Sequence, residues 1–194
     1  MGRERSSEFY DERAHKYDKK QASITYGPIY KKIVDIFDKE VSKDEVIYEL
    51  GCGVGNLAKM LKNIGFKNYI GIDFSKEMIR RAEEKSHGYK FIVGNLIDEE
   101  IKDIYRKGKY FILMEVLEHI NNDKEILSEI PSKSFVVVTL PSYSAKGHVR
   151  YFKKITEIRK RYKSLLDFEN GEMFAIMNGK GKGKNIFIFK GRKL

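Results

Sequence analysis

The 194-residue chain has one cysteine and no glycine-lysine loop of the form G-x-x-x-x-G-K-[ST]. It also lacks any apolar run near the roughly 20 residues that cross a bilayer. A single cysteine excludes an internal disulfide and accords with a reducing, cytoplasmic setting. The N-terminal "MGRERSSEFYDERAHKYDKK" is polar and mixed in charge, so no secretory signal is expected. "MGRERS" meets the myristoylation pattern in its letters, and we read it as a chance match. No linker or internal repeat is visible. One domain over 1–194 is expected, with N-terminal helices over 1–44 covering a site built by a core over 45–194. With 41% hydrophobic and 34% charged residues, the chain has the composition of an ordinary globular domain.

Charge is spread unevenly. Residues 146–194 hold 14 Lys/Arg against 4 Asp/Glu, whereas the rest balances, so the whole net charge of +10 sits in this last quarter. A one-sided field of that kind favours an anionic partner such as nucleic acid, a phosphorylated metabolite or a membrane surface, or else is a plain lysine-rich surface. The sequence leaves the oligomeric state open.

Apolar and amphipathic segments alternate. Helices are expected over "SSEFYDERAHKYDKK" and "GPIYKKIVDIFDKEV", the latter with Ile29, Ile33, Ile36 and Phe37 on one face and Pro28 in its first turn. Then come the strand "VIYEL", a helix ended by Gly65, the strand "NYIGID", and a helix with Ser75 as N-cap. "YKFIV", "KYFILME" and "SFVVVTL" are further strands, separated by short helices. "FKKITEIRKRY" reads as a last helix, and "EMFAIMN" and "NIFIFK" as a hairpin around a mobile "GKGKGK" loop. Strand alternating with helix predicts an α/β fold: a mostly parallel seven-stranded sheet with a C-terminal antiparallel hairpin and helices on both faces. Ligands of such sheets sit beyond the strands' C-terminal ends, where strand order reverses.

In "VIYELGCGVGNLAKML" three glycines fall within five residues after the first strand. Gly51, Gly53 and Gly55 give G-x-G-x-G with Asn56 following, which differs from the G-x-G-x-x-G of dinucleotide sites. Glu49, just before the glycines, would repel a pyrophosphate and attract an ammonium group. Asp73, closing the second strand, is placed to accept both hydroxyls of a ribose. An amine-bearing nucleoside without phosphates fits both, and S-adenosylmethionine is one.

At these residues the chain resembles the class I S-adenosylmethionine-dependent methyltransferases, over roughly residues 9 to 190. "YELGCGVGN", "GIDFSKEMI", "VGNL", "MEVLEHI" and "VVVTLP" are similar to their successive motifs. The resemblance implies a Rossmann-like fold in which Gly51, Cys52, Gly53 and Gly55 approach the methionine part and Glu49 organises its ammonium. Asp73 would bind the ribose. Phe74 and Met78 would sandwich the adenine, unless both are plain core. Asn95, where many relatives carry Asp, would accept from the adenine amine without charge assistance, and Leu96 would offer its backbone N–H.

Methyl transfer asks for positioning more than for acid–base chemistry, because the sulfonium already activates the methyl. His119 and His148 each follow a strand at the ligand end, and each is a base or orienter for the acceptor, or a structural imidazole. Glu115, Glu118 and His119 have the spacing of one helical turn. With His148 they form a candidate Mg²⁺ or Mn²⁺ set, similar to the E-x-x-E-H of small-RNA 3′-terminal 2′-O-methyltransferases and some ubiquinone-pathway O-methyltransferases. Glu115 facing the cofactor is the alternative. The acceptor is expected to be a small molecule, attacked at oxygen, nitrogen or carbon. RNA or protein is the second expectation, and a non-catalytic S-adenosylmethionine-binding subunit the third. "SYSAKGHVRYF" resembles a substrate-side loop, with Tyr10 and Tyr17 left to cover an otherwise open mouth.

Overall fold

Five apolar runs form parallel strands in the computed structural model, which describes residues 3–19, 26–168, 173–177 and 185–194. They are β1 (Val46–Leu50), β2 (Asn68–Asp73), β3 (Lys90–Val93), β4 (Tyr110–Met114) and β5 (Phe135–Pro141). β6 (Leu166–Asp167) and β7 (Met173–Met177) both run antiparallel along one edge of β8 (Asn185–Lys193), whose other edge pairs antiparallel with β5. The order β3-β2-β1-β4-β5-β8 therefore ends in an outer position shared by β6 and β7, which makes a sheet seven positions wide. This is the expected architecture. β6, only two residues long, has no periodicity to announce it, and the "GKGKGK" loop lies outside the described residues.

Strands buried on both faces need unbroken apolar runs, and all seven residues of β5 are buried. One face carries α3 (Tyr26–Glu40) and α4 (Asn56–Asn63); the other carries α6 (Glu99–Tyr105), α7 (Asp123–Glu129) and α8 (Ile155–Tyr162). On α3, Ile29, Ile33, Ile36 and Phe37 are at most 5% exposed, and each such burial stabilises by about 1.5–3 kcal/mol. α5 (Lys76–Lys85) opens on Ser75, whose Oγ accepts from the Met78 amide at 3.2 Å, as expected. No described helix is long and apolar enough to cross a membrane.

The N-terminal segment departs from expectation. It forms two short helices, α1 (Ser7–Asp11) and α2 (Ala14–Tyr17), instead of one. Between them the Arg13 side chain turns back, donating to the Phe9 carbonyl at 3.1 Å and lying over the Phe9 ring. The pair docks on α5. Asp11 accepts from Ser75 Oγ at 2.5 Å and from the Glu77 amide at 3.0 Å, and Asp18 pairs with Arg81 and Lys85.

Candidate active site

β1 has β2 on one side and β4 on the other, so strand order reverses beside it. A cavity of about 360 Å³ opens there, beyond the strands' C-terminal ends. Gly51, Cys52, Gly53, Glu49, Asp73, Phe74, Met78, Asn95, Leu96, Glu115, His119 and His148 all line it, so the expected site residues converge on one space. Gly55 stands behind them.

Gly51, Gly53 and Gly55 have φ of 78°, 53° and 72°, the left-handed region that favours glycine. Their surroundings divide them. A Cβ on Gly55 would lie 2.9 Å from the Ala82 Cα, so Gly55 lets α4 start against α5. A Cβ on Gly53 would meet nothing within 4 Å, because that position faces the cavity. The Gly53 amide donates to Asp73 Oδ2 at 2.9 Å, and the Ser75 amide to Oδ1 at 3.0 Å. Burial pushes the Asp73 carboxyl up to about 6, against those backbone donors.

Glu49 is 3% exposed, and its carboxyl accepts from the Tyr69 hydroxyl of β2. Burial raises it to about 8. On the neighbouring wall the Phe74 ring packs at 5.4 Å from that of Tyr10. Met78 is buried with Ala14 and Val54, so it serves the core and the cavity wall together. Leu96 is also buried, and its carbonyl accepts from the Tyr105 hydroxyl. Asn95 Oδ1 faces the Ile97 amide at 3.4 Å.

The helical turn expected over 115–119 does not form. Glu115 has φ 56°, residues 117–119 make a plain turn, and Glu115 falls outside the cluster that Glu118 and His119 form with His148. The left-handed backbone at Glu115 swings its side chain away from the other two. Its Oε1 accepts from Thr139 Oγ1 at 3.0 Å, and its Oε2 lies 3.5 Å from the Tyr26 hydroxyl. Ligand atoms of Glu118, His119 and His148 lie within 4.8 Å of one another. His119 Nδ1 lies 3.0 Å from the Gly147 carbonyl and His148 Nδ1 3.1 Å from the Tyr143 carbonyl. A carbonyl only accepts, so each ring donates to it from Nδ1, and His119 Nε2 lies 3.8 Å from Oε1 of buried Glu118.

Arg150 holds this corner together. Its guanidinium donates to the carbonyls of Leu117, Ile120 and Asn121 and pairs with buried Asp123, which Arg161 and the Tyr162 hydroxyl also grip. Arg161 is thereby engaged, unlike exposed Lys153, Lys154 and Lys160.

Tyr10 and Tyr17 do line the cavity, and Tyr26, Tyr30, Asn56 and Tyr143 join them without any sequence signal beyond lying near motifs. Burial pushes the phenols of Tyr10, Tyr26 and Tyr30 well above the ordinary value, so they stay protonated donors.

A family model described as a methyltransferase domain matches residues 48–132. MJ1123 of Methanocaldococcus jannaschii, which has no assigned activity, is 32% identical over 62% of this chain and 53% of its own length. Rv1506c of Mycobacterium tuberculosis, which carries the name of a methyltransferase, is 33% identical over 54% of this chain and 68% of its own. The chain thus spans about half of the first relative and two thirds of the second. Among solved structures, magnesium protoporphyrin IX methyltransferase of Synechocystis PCC 6803 with bound SAH superposes with a TM-score of 0.63 at 15% identity, over 86% of this chain and 83% of that one. The domain match, the shared identity with Rv1506c and the common fold agree: the chain belongs to the S-adenosylmethionine-dependent methyltransferase family.

Proposed function

We propose that this protein transfers the methyl group of S-adenosylmethionine to a small molecule held in the cavity above β1 and β4. The observation that carries the reading is the cavity itself, walled on one side by the glycine loop and Asp73 and on the other by tyrosines of the N-terminal helices. In this reading Asp73 accepts the ribose hydroxyls, Glu49 receives the ammonium, and Gly53 leaves room for the methionine backbone. Phe74, Met78, Asn95 and Leu96 form the adenine side. His119 or His148, through Nε2, takes a proton from an acceptor that must lose one.

Label from methyl-labelled S-adenosylmethionine, incubated with the protein and fractionated cell extract, is expected in the small-molecule fraction. Label in RNA or protein would favour the macromolecular reading, in which exposed Lys153, Lys154 and Lys160 meet phosphates and binding falls steeply with salt. Firm cofactor binding with no label anywhere would point to a non-catalytic subunit.

A second reading adds a metal at Glu118, His119 and His148, favoured by their convergence within 4.8 Å and by Nδ1 donation to backbone carbonyls, the support metal-ligating imidazoles commonly have. Two imidazoles and one carboxylate suit Mn²⁺ better than Mg²⁺. The ion would lower the pKa of an acceptor hydroxyl. Loss of activity with chelator, restored by Mn²⁺, supports this reading; unchanged activity removes it.

A further inference from the structure

We infer that the methyl acceptor is a small amine and that Glu115 receives its nitrogen. The inference rests on the methyltransferase reading above and narrows its acceptor.

Charge inside the cavity opposes that of the whole chain. The protein carries +10, yet among the described residues the cavity wall holds four acidic side chains, Glu4, Glu49, Asp73 and Glu115, against two cations, Arg5 and Lys146. Glu4, Arg5 and Lys146 also line the shallow depression outside, and Glu4 and Lys146 are exposed, so these three stand at the rim and leave Glu49, Asp73 and Glu115 as the acids deeper in the wall. Glu49 and Asp73 serve the cofactor in the proposed reading. Glu115 remains, with the rings of Tyr26 and Tyr143 beside it in the same wall. A carboxylate attracts an ammonium and repels an anion, and aromatic rings nearby add to the attraction for a cation.

The backbone at Glu115 supports this assignment. Its φ of 56° is disfavoured for a residue with a side chain, and only Lys133 shares that feature among described non-glycine residues. Thr139, fully buried, holds it there. Its hydroxyl accepts from the Glu115 amide at 2.8 Å and donates to Oε1 at 3.0 Å. The carboxylate is thus fixed by β5 while facing the cavity.

The chemistry then follows from where charge moves. An amine arriving as ammonium first gives one proton to water. The neutral nitrogen's lone pair attacks the methyl carbon, the C–N bond forms, the C–S bond breaks, and its electron pair stays on sulfur. Positive charge passes from sulfur to nitrogen. A fixed carboxylate nearer the nitrogen than the sulfur therefore binds the transition state more tightly than the ground state.

The test uses the full chain with methyl-labelled S-adenosylmethionine and the small-molecule fraction of a cell extract. The labelled product should be retained on a cation exchanger at neutral pH, and its label should survive base hydrolysis. Glu115→Gln should lower turnover by roughly 100-fold or more while SAH affinity changes less than about threefold. Label in a base-labile ester, in a neutral ether, or in RNA or protein overturns the inference while leaving methyl transfer intact. Normal turnover by Glu115→Gln, or bound SAH without label in any small molecule, also overturns it. Failure to bind SAH at all sinks the parent reading instead. The product test needs no variant, so it stands whether or not the substitution folds.

Discussion

Asp73 Oδ2 accepts from the Gly53 amide at 2.9 Å across 20 residues of sequence, while Oδ1 accepts from Ser75 at 3.0 Å. Two backbone donors hold the carboxylate, and through it β2 fixes the loop after β1. Orientation set in advance lowers the entropy a ligand must supply.

Gly53 and Gly55 should respond differently to alanine. Both have positive φ, which costs an L-residue about 1–2 kcal/mol. Gly55→Ala adds a clash with the Ala82 backbone, whereas the Gly53 Cβ would enter open cavity. Thermal melts should therefore show a loss of about 2–8 °C for Gly53→Ala and distinctly more for Gly55→Ala. SAH affinity should fall further for Gly53→Ala than its stability loss explains. Equal melting losses would remove the distinction.

Binding should release a proton near pH 7. With its carboxyl raised from 4.5 to about 8, Glu49 is mostly protonated there, and an arriving ammonium favours the ionised form. Calorimetry in buffers of different ionisation enthalpy should find the proton in the wild type and lose it in Glu49→Gln. The same shift sets the ligand-free stability. Between about 4.5 and about 8 the folded chain holds a proton that the unfolded chain has lost, so Glu49's contribution to stability falls as pH rises through that window.

Asp18 joins the N-terminal helices to α5 through Arg81 at 2.6 Å and through Lys85. The pairs are partly exposed, so Asp18→Asn should cost about 0.5–1 kcal/mol. Because Tyr10 and Tyr17 line the cavity from this segment, that loosening should appear as an SAH off-rate two- to fivefold faster. High salt should mimic it in the wild type. Stopped-flow displacement checks both.

Arg150 should be the most sensitive surface-proximal cation. Removing it orphans three carbonyls and one of the partners of buried Asp123, a class of loss worth about 3–5 kcal/mol. Arg150→Lys should rescue little, because one ammonium cannot reproduce the fork. A melting temperature within a degree or two of wild type for Arg150→Met would contradict this.

The central strands, the glycine loop, Asp73 and the Ser75 cap were legible because each rests on a local signal: an apolar run, a turn residue or a cap spacing. Contacts at long range were not. Tyr26 reaches Glu115 across 89 residues, and Arg150 reaches Leu117 across 33, with no pattern to mark either. Glu115 misled for a different reason. Its spacing to Glu118 suits a helix, but the pairing of its amide with Thr139 holds it in the left-handed region, and that depends on β5 lying alongside.

The most direct measurement is calorimetric titration of the purified chain with SAH, set beside NAD and ATP and repeated with Asp73→Ala. We expect a single SAH site, no comparable affinity for the phosphate-bearing nucleotides, and at least about tenfold weaker binding in the variant, the worth of one charge-assisted hydrogen bond of about 1.5–3 kcal/mol. No heat with SAH, tighter binding of NAD or ATP, or an unaffected Asp73→Ala would contradict this.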